Sequence, residues 1–152
     1  MHKFKRFDVR SLMFEVVLYP RCMATIKVFE DIDAWQQARL LSKEIFELTN
    51  VGTFSKDYGL RDQINKASGS IMDNIAEGFE RGGTREFIQF LGIAKGSTGE
   101  VRSQLYRALD RNHLTNDQYT TLVESTTKIS KMINGFIVYL RNSKLKGMKF
   151  NE

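Results

Sequence analysis

Side chains suited to a core recur every three or four residues through the stretch TREFIQFLGIAKGSTGEVRSQLYRALD, residues 84–110. This row is Phe87, Leu91, Ala94, Thr98, Val101, Leu105 and Ala108. Because an α-helix turns once in about 3.6 residues, the spacing predicts one buried stripe along a single long helix. Thr84 is predicted to cap that helix, and Glu86 in its first turn suits the positive end of the helix dipole.

Rows with the same spacing occur before and after this stretch. The helix that precedes it is predicted to begin at about Ser55 or Asp57 and to end at Gly82-Gly83, where paired glycines permit left-handed backbone. Its row is Leu60, Ile64, Ala67, Ile71, Ile75 and Phe79. An earlier helix is predicted from Glu30-Asp31 to about Asn50. Its row is Ile32, Trp35, Ala38, Leu41, Ile45 and Leu48.

A fourth helix is predicted from a cap at Thr115 or Asn116 to about Arg141. Its row is Tyr119, Leu122, Thr126, Ile129, Ile133, Phe136 and Leu140. The single proline, Pro20, precedes all four segments. Four helices of about twenty to twenty-eight residues with short connections predict an all-α, antiparallel up-down-up-down four-helix bundle.

The charge of the chain is concentrated outside the predicted bundle. Residues 1–25 hold 5 basic and 2 acidic side chains, a net of +3, and residues 143–152 hold 3 and 1, a net of +2. Residues 26–142 hold 15 of each and are neutral, which weakens an argument for nucleic-acid binding from bulk charge.

One cysteine, Cys22, excludes an internal disulfide, and no apolar run is long enough to span a bilayer. A cytoplasmic location is expected.

The chain is therefore divided into an N-terminal extension (1–25), a bundle domain (26–142) and a basic tail (143–152). The extension has a basic start and an apolar middle, as a signal peptide has, but Glu15 interrupts the apolar part. The alternative interpretation is that Met23 is the true start, because Met23-Ala24-Thr25 leads directly into the helical pattern.

The third predicted helix carries a second face opposite its core row. Gly92, Gly96, Gly99 and Ser103 lie there, flanked by Ile88 and Ile93. Glycine inside a helix costs about 0.5–1 kcal/mol relative to alanine, so three on one exposed face suit a monomer poorly. The face is predicted to be a subunit interface; the alternatives are a face that is merely tolerated or one covered by the extension.

Residues that carry chemistry are scarce. His2 and His113 are the two histidines, and Asp110-x-x-His113 is too incomplete for a di-iron site, so His113 is interpreted as a capping or solvent-exposed side chain. Lys95 and Ser97 lie two residues apart on a helix and cannot readily share a proton. No catalytic residue, metal ligand, cofactor or small-molecule substrate is predicted.

Two groups of basic residues are candidate phosphate contacts. Lys56, Arg61 and Lys66 lie near the start of the second helix, and Arg81 and Arg85 flank the Gly82-Gly83 turn. The alternative is that they are ordinary solvated charges. Glu77 and Arg81 are spaced for a surface ion pair.

An ordered set of short motifs resembles the bacterial four-helix bundle proteins associated with intervening sequences of 23S ribosomal RNA genes. The motifs are Phe29-Glu30-Asp31-Ile32 with Trp35, Gly59-Leu60-Arg61-Asp62-Gln63-Ile64, Ser70-Ile71, Asn74-Ile75-Ala76-Glu77-Gly78, Glu86-Phe87-Ile88-Gln89-Phe90-Leu91, Ala94-Lys95-Gly96-Ser97 and Glu100. The resemblance covers about 26–142, and Gly69 and Gly99 depart from the usual pattern.

The resemblance implies a bundle that assembles into a ring-like homopentamer and has no established catalytic activity. A related accessory protein of diversity-generating retroelements binds nucleic acid and a reverse transcriptase. Asn74, Glu77, Gly78, Lys95, Gly96 and Ser97 match motif positions, where roles in packing and assembly are expected. The leading hypothesis is a homo-oligomeric accessory protein for RNA or DNA. The alternative is a protein–protein adaptor that binds no nucleic acid.

Overall fold

The computed structural model describes residues 26–143, which form an antiparallel up-down-up-down bundle of four helices. The helices are α1 (Asp33–Thr49), α2 (Tyr58–Glu80), α3 (Thr84–Asp110) and α4 (Asn116–Asn142), with 3-10 turns at Phe29–Asp31 and Phe54–Lys56. Each helix packs against the next and α4 packs against α1, so α1 and α3 lie at opposite corners. The predicted fold class is confirmed. The extension 1–25, including Met23, and residues 144–152 lie outside the described residues.

The predicted rows form the core of the bundle. Every member of the α2 and α3 rows is buried. In α4 the row is buried except for Tyr119, which is half-buried against the core. The prediction is least accurate for α1, where Trp35 and Leu48 are only half-buried while Ala34 and Thr49 are buried instead. α1 is also shorter than predicted, at 17 residues, so fewer of its turns contact the other helices.

Two helix starts agree with the predicted caps and two do not. The Asp57 carboxylate accepts from the Leu60 N–H at the start of α2, and Thr115 forms a reciprocal capping box with Gln118 at the start of α4. Thr84 is wrong as a cap: it is the first helical residue, and extended Gly83 holds the cap position. α1 begins at Asp33 rather than at Glu30-Asp31, because those residues belong to the preceding 3-10 turn.

The turn between α2 and α3 uses its two glycines differently. Gly82 has a φ of +76°, a left-handed conformation that glycine adopts without steric cost. Gly83 has a φ of −91°, so Gly82 alone supplies the left-handed conformation that was expected of the pair. Only the first of the pair reverses the chain.

The alternating helix directions define two ends of the bundle. The loop end contains the connections 50–57 and 111–115. The tail end contains the turn 81–83, and the described chain also begins and stops there, at residues 26 and 143. The two groups of candidate basic residues therefore lie at different ends.

Candidate interaction surfaces

The outer side of α3 is a groove with a floor of small residues. Gly92, Gly96, Gly99 and Ser103 are exposed and fall within an arc of about 60° on the helix. A Cβ added at any of these three glycines would meet no atom of the described structure within 4 Å. Ile93 and Tyr106 rise beside the floor and are 52% and 56% exposed. No packing within the described subunit therefore requires glycine at these positions.

Ile88 has a different environment from the rest of the predicted interface. Its side chain is half-buried and packs against the hydrophobic core. It therefore lies at the edge of the α3 groove, and only part of it remains accessible to another molecule.

A chain of hydroxyl and amide groups joins α2 to α3. The Asn74 side-chain amide donates to the Ser70 carbonyl at 2.7 Å and to Ser70 Oγ at 3.0 Å. Ser70 Oγ lies 3.0 Å from Ser97 Oγ, and Ser97 donates to the Ile93 carbonyl at 3.2 Å. Since the Ser97 proton is committed to Ile93, the Ser70 hydroxyl donates to Ser97. Asn74 and Ser97 thus stabilise the contact between two helices.

Gly78 allows α2 and α3 to approach closely. A Cβ at this position would lie 2.6 Å from Phe90 Cβ and 2.8 Å from Phe87 Cδ2. Real Cβ atoms do not approach other carbons so closely, and Phe90 Cβ cannot move without the α3 backbone. The glycine is therefore a packing requirement.

The remaining motif residues make surface contacts between or along helices. Arg81 donates to Glu77 Oε1 at 2.8 Å, as the four-residue spacing predicts, and its guanidinium lies 4.8 Å from the centre of the Phe90 ring. The hydrogen bond to Glu77 raises the pKa of Arg81. Lys95 Nζ donates to Asn134 Oδ1 of α4 at 2.7 Å. Lys95 thus contacts α4 while Ser97 contacts α2.

The five candidate phosphate contacts do not form one patch. Arg61 lies at the loop end and Arg81 at the tail end, twenty residues apart on a helix, which is about 30 Å. Arg61 is engaged by the Ser55 carbonyl at 3.1 Å, by Asp62 and by the Tyr58 ring. Of the five candidates, Lys56, Lys66 and Arg85 are exposed and have no side-chain hydrogen bond or ion pair with another described residue.

His113 ties the two connections of the loop end together. Its Nδ1 lies 2.8 Å from Thr53 Oγ1, its Nε2 lies 3.0 Å from Asp57 Oδ2, and its ring stacks on Phe54. Its side chain is only 9% exposed, so the interpretation as a solvent-exposed histidine is wrong. The capping interpretation agrees with the structure, because the His113 backbone N–H donates to the Ala108 carbonyl at 2.9 Å at the end of α3. Arg111 also contacts Asp57 Oδ2, at 2.6 Å.

These contacts form a loop-end cluster that consists of Thr53, Phe54, Asp57, Arg111 and His113. The electrostatic interactions of the cluster centre on Asp57. Hydrogen bonds from Arg111 and then His113 lower the pKa of Asp57 from 3.8 to about 2, against the opposing effect of burial. No sequence pattern identified the cluster, because Asp57 and His113 are 56 residues apart and both lie outside the helical rows. The one available signal was the capping role predicted for Asp57.

The described residues hold neither a metal-binding cluster nor a membrane-spanning helix. No group of three or more His, Cys, Asp or Glu side chains between residues 26 and 143 is arranged to hold a metal ion. Within the same range, no helix has the length and apolar character needed to cross a membrane.

The fold places the chain among the all-α four-helix bundle proteins. The family model for 23S rRNA-intervening sequence proteins matches residues 30–135, and the chain belongs to this family. No curated protein matches the chain. A solved structure from Bacteroides thetaiotaomicron, a protein of unknown function from the S23 ribosomal protein family, is 21% identical, with a TM-score of 0.63. The match covers 68% of this chain and 97% of that chain, and it supports the fold alone.

Proposed function

We propose that the chain is a non-enzymatic, homo-oligomeric scaffolding protein that associates with RNA or DNA through the tail end of its bundle. The observation that carries the proposal is the groove on α3, whose glycine floor has no packing role within the described subunit. The three glycines cost about 1.5–3 kcal/mol together relative to alanines. A close contact with another copy accounts for this cost, because small residues allow the backbones of two helices to approach each other.

The distribution of charge supports nucleic acid as the partner of the assembled protein. The bundle is neutral, while residues 1–25 and 143–152 contribute +3 and +2. Residues 26 and 143, where the described chain meets these two segments, lie at the same end of the bundle as Arg81 and Arg85. Assembly multiplies this charge, and phosphate binding strengthens with each contact that releases counterions.

The absence of catalysis is part of the same proposal. Thr53, His113 and Asp57 follow the order of a nucleophile, a base and a carboxylate. However, Phe54 stacks on the imidazole ring, and Arg111 pairs with the same Asp57 oxygen that His113 contacts. These contacts suit a structural link between two connections better than a reacting group.

Binding of the full chain to ribosomal RNA fragments across a salt series tests the partner. Affinity is expected to fall steeply as salt rises, because phosphate contacts dominate. Arg85→Gln/Arg141→Gln removes two exposed cations from the tail end and is expected to weaken binding and reduce the salt slope. Lys56→Gln/Lys66→Gln removes two from the loop end and is the matched control.

A protein–protein adaptor remains the second candidate, and the neutral charge of residues 26–142 favours it. Lack of RNA or DNA binding even at low salt would leave the adaptor as the better account. Equal losses from the tail-end and loop-end variants would contradict the assignment of binding to the tail end.

A further inference from the structure

We infer that the outer seam between α3 and α4 binds a single strand of nucleic acid, whose phosphates contact the cations of the seam and whose bases stack on an exposed tyrosine. The inference rests on the proposed function and extends the binding surface from the tail end along the bundle. The seam consists of Lys95, Arg102 and Tyr106 on α3 and of Tyr119, Lys131, Asn134 and Arg141 on α4.

Charge is divided unequally between the two sides of the neutral bundle. Residues 26–80, which include α1 and α2, hold 6 basic and 10 acidic side chains, a net of −4. Residues 81–142, which include α3 and α4, hold 9 basic and 5 acidic side chains, a net of +4. Because α1 and α2 form one side of the bundle and α3 and α4 the other, the α3–α4 side is the one that attracts phosphate.

The cations of the seam keep their charge available to a ligand. Lys95 Nζ donates across the seam to Asn134 Oδ1 at 2.7 Å, and this partner is neutral. Arg102, Lys131 and Arg141 are exposed and have no side-chain hydrogen bond or ion pair with another described residue. No carboxylate of the described chain therefore pairs with these four side chains.

Acidic side chains are missing from the part of the seam where these cations lie. Residues 125–142 of α4 contain three basic residues and no acidic one. On the facing part of α3, residues 87–102, the acidic residue is Glu100. It lies two positions before Arg102 and therefore about 160° away from it around the helix. A phosphate backbone along the seam thus meets cations without a facing carboxylate.

Two tyrosines cross the seam next to its cations. The ring centroids of Tyr106 and Tyr119 are 5.3 Å apart, and Tyr106 is 56% exposed. Burial and then the hydrogen bond with Tyr106 raise the pKa of Tyr119 to about 12, while the charge of Arg102 opposes this rise. The guanidinium of Arg102 therefore lies close to the pair of rings. An exposed ring beside a cation is a surface on which an unpaired base stacks.

The combination of a line of cations with an exposed ring favours a single strand over a duplex. The phosphates of either can contact Lys and Arg side chains, but only an unpaired base can stack on Tyr106. From Tyr119 to Arg141 the seam covers twenty-two residues of α4, which is about 33 Å. This length suits a strand of several nucleotides, within the range of about 4–16 that single-strand sites cover.

The seam lies beside the α3 groove rather than within it. Lys95 and Arg102 are turned about 70–90° away from the middle of the groove floor, towards α4. A second copy on the groove floor is therefore compatible with a strand in the seam. Assembly then places several seams on one particle, which strengthens the binding of a strand that reaches more than one of them.

Fluorescence anisotropy of the full chain with labelled oligonucleotides of about 16 nucleotides, across a salt series, tests the seam. The probes are a single-stranded RNA, a single-stranded DNA of the same sequence, and the corresponding DNA duplex. Lys95→Gln/Arg102→Gln/Lys131→Gln is expected to weaken the binding of both single strands about tenfold or more. It is also expected to reduce the salt slope by about 2, since each phosphate contact of a single strand contributes about 0.7.

The matched control removes the same number of cations from the other side of the bundle. Arg39→Gln/Lys43→Gln/Lys66→Gln replaces three exposed side chains of α1 and α2 and is expected to leave the affinity and the salt slope unchanged. Thermal unfolding monitored by circular dichroism verifies that each variant is folded.

Two tyrosine variants separate stacking from charge. Tyr106→Leu is expected to weaken both single strands about tenfold with the salt slope unchanged, because stacking releases no counterions. Binding of the duplex is expected to be unaffected. Tyr58→Leu removes a ring of similar exposure, 66%, from α2 and is the control without effect. A duplex that binds more tightly than either single strand would overturn the inference.

The outcomes separate this inference from the function on which it rests. If the wild type binds single strands and the seam variant binds as its control does, the seam is not the site while the proposed function stands. A seam variant that loses binding together with its molar mass in light scattering would assign the loss to assembly and would also overturn the seam. If the wild type binds no nucleic acid even at low salt, the proposed function fails together with the seam.

Discussion

Gly78 of α2 faces Phe90 of α3 at a distance that leaves no room for a methyl group. A Cβ at 78 would lie 2.6 Å from Phe90 Cβ. The same phenylalanine holds the Arg81 guanidinium over its ring, 4.8 Å from the ring centre. One turn of α3 therefore fixes both the closest approach of the two helices and the position of a cation at the tail end.

Gly78→Ala is expected to lower the free energy of unfolding by about 1–3 kcal/mol, because the added methyl group forces α2 and α3 apart. Chemical denaturation measures the change. Gly69→Ala is the matched control on the same helix, since its Cβ would come no nearer than 4.0 Å to any atom. That control is expected to raise stability by about 0.5–1 kcal/mol, as helix propensity predicts. Equal effects from the two variants would contradict the close approach at Gly78.

The burial of the helical rows could be predicted from the sequence, because it depends on the local helical period. Contacts between residues that are distant in the sequence could not be predicted. The rows of α2 and α3 are buried as predicted because each repeats the helical period over twenty residues or more. Trp35 in α1 fitted its row by spacing but is only half-buried, since a short helix at a corner leaves its flank open. The contact of Gly78 with Phe90 depends on the distance between two helices, which no single row encodes.

The same limit applied to the functional surfaces. The α3 groove was predictable because all its residues lie on one helix face. The loop-end cluster was not, because His113 meets Thr53 and Asp57 only when two connections come together. Charge along the sequence gave the candidate cations, and the four-residue spacing predicted that Arg81 pairs with Glu77. The sequence did not reveal that Arg61 is engaged by the Ser55 carbonyl.

Asp57→Asn is expected to destabilise the fold at neutral pH while keeping an oxygen that caps α2. The pKa of Asp57 is about 2 in the fold against 3.8 normally, so its ionised form stabilises the folded state. This contribution is fully present above the unfolded pKa and is lost as pH falls through the folded pKa. The stability difference between wild type and variant, measured by denaturation, should be constant down to about pH 4 and should shrink towards pH 2. A difference that does not change over this range would contradict the assigned role.

Two replacements of His113 separate stacking from hydrogen bonding at the loop end. His113→Phe keeps a ring against Phe54 but removes both hydrogen bonds, at an expected cost of about 1 kcal/mol. His113→Ala also removes the ring and is expected to cost about 1–2 kcal/mol more, because the site cannot fully collapse. Chemical denaturation of both variants measures how much free energy of unfolding is lost with the hydrogen bonds and how much is lost with the ring.

A double-mutant cycle connects these two predictions. His113→Phe and Asp57→Asn are expected to be non-additive, because each variant disturbs the same hydrogen bond. Strict additivity would show that Nε2 of His113 and Oδ2 of Asp57, 3.0 Å apart in the structure, do not interact energetically.

The oligomer is tested most directly by the molar mass of the purified full chain in light scattering, with Gly96→Leu beside the wild type. A Cβ at 96 would meet no neighbouring atom within 4 Å, and the position is exposed, so the variant is expected to fold with unchanged helix content. The wild type is expected at a multiple of 17.6 kDa, and the variant is expected to shift towards the mass of one chain. A wild type of 17.6 kDa, or a variant that assembles as the wild type does, would contradict a groove built for another copy.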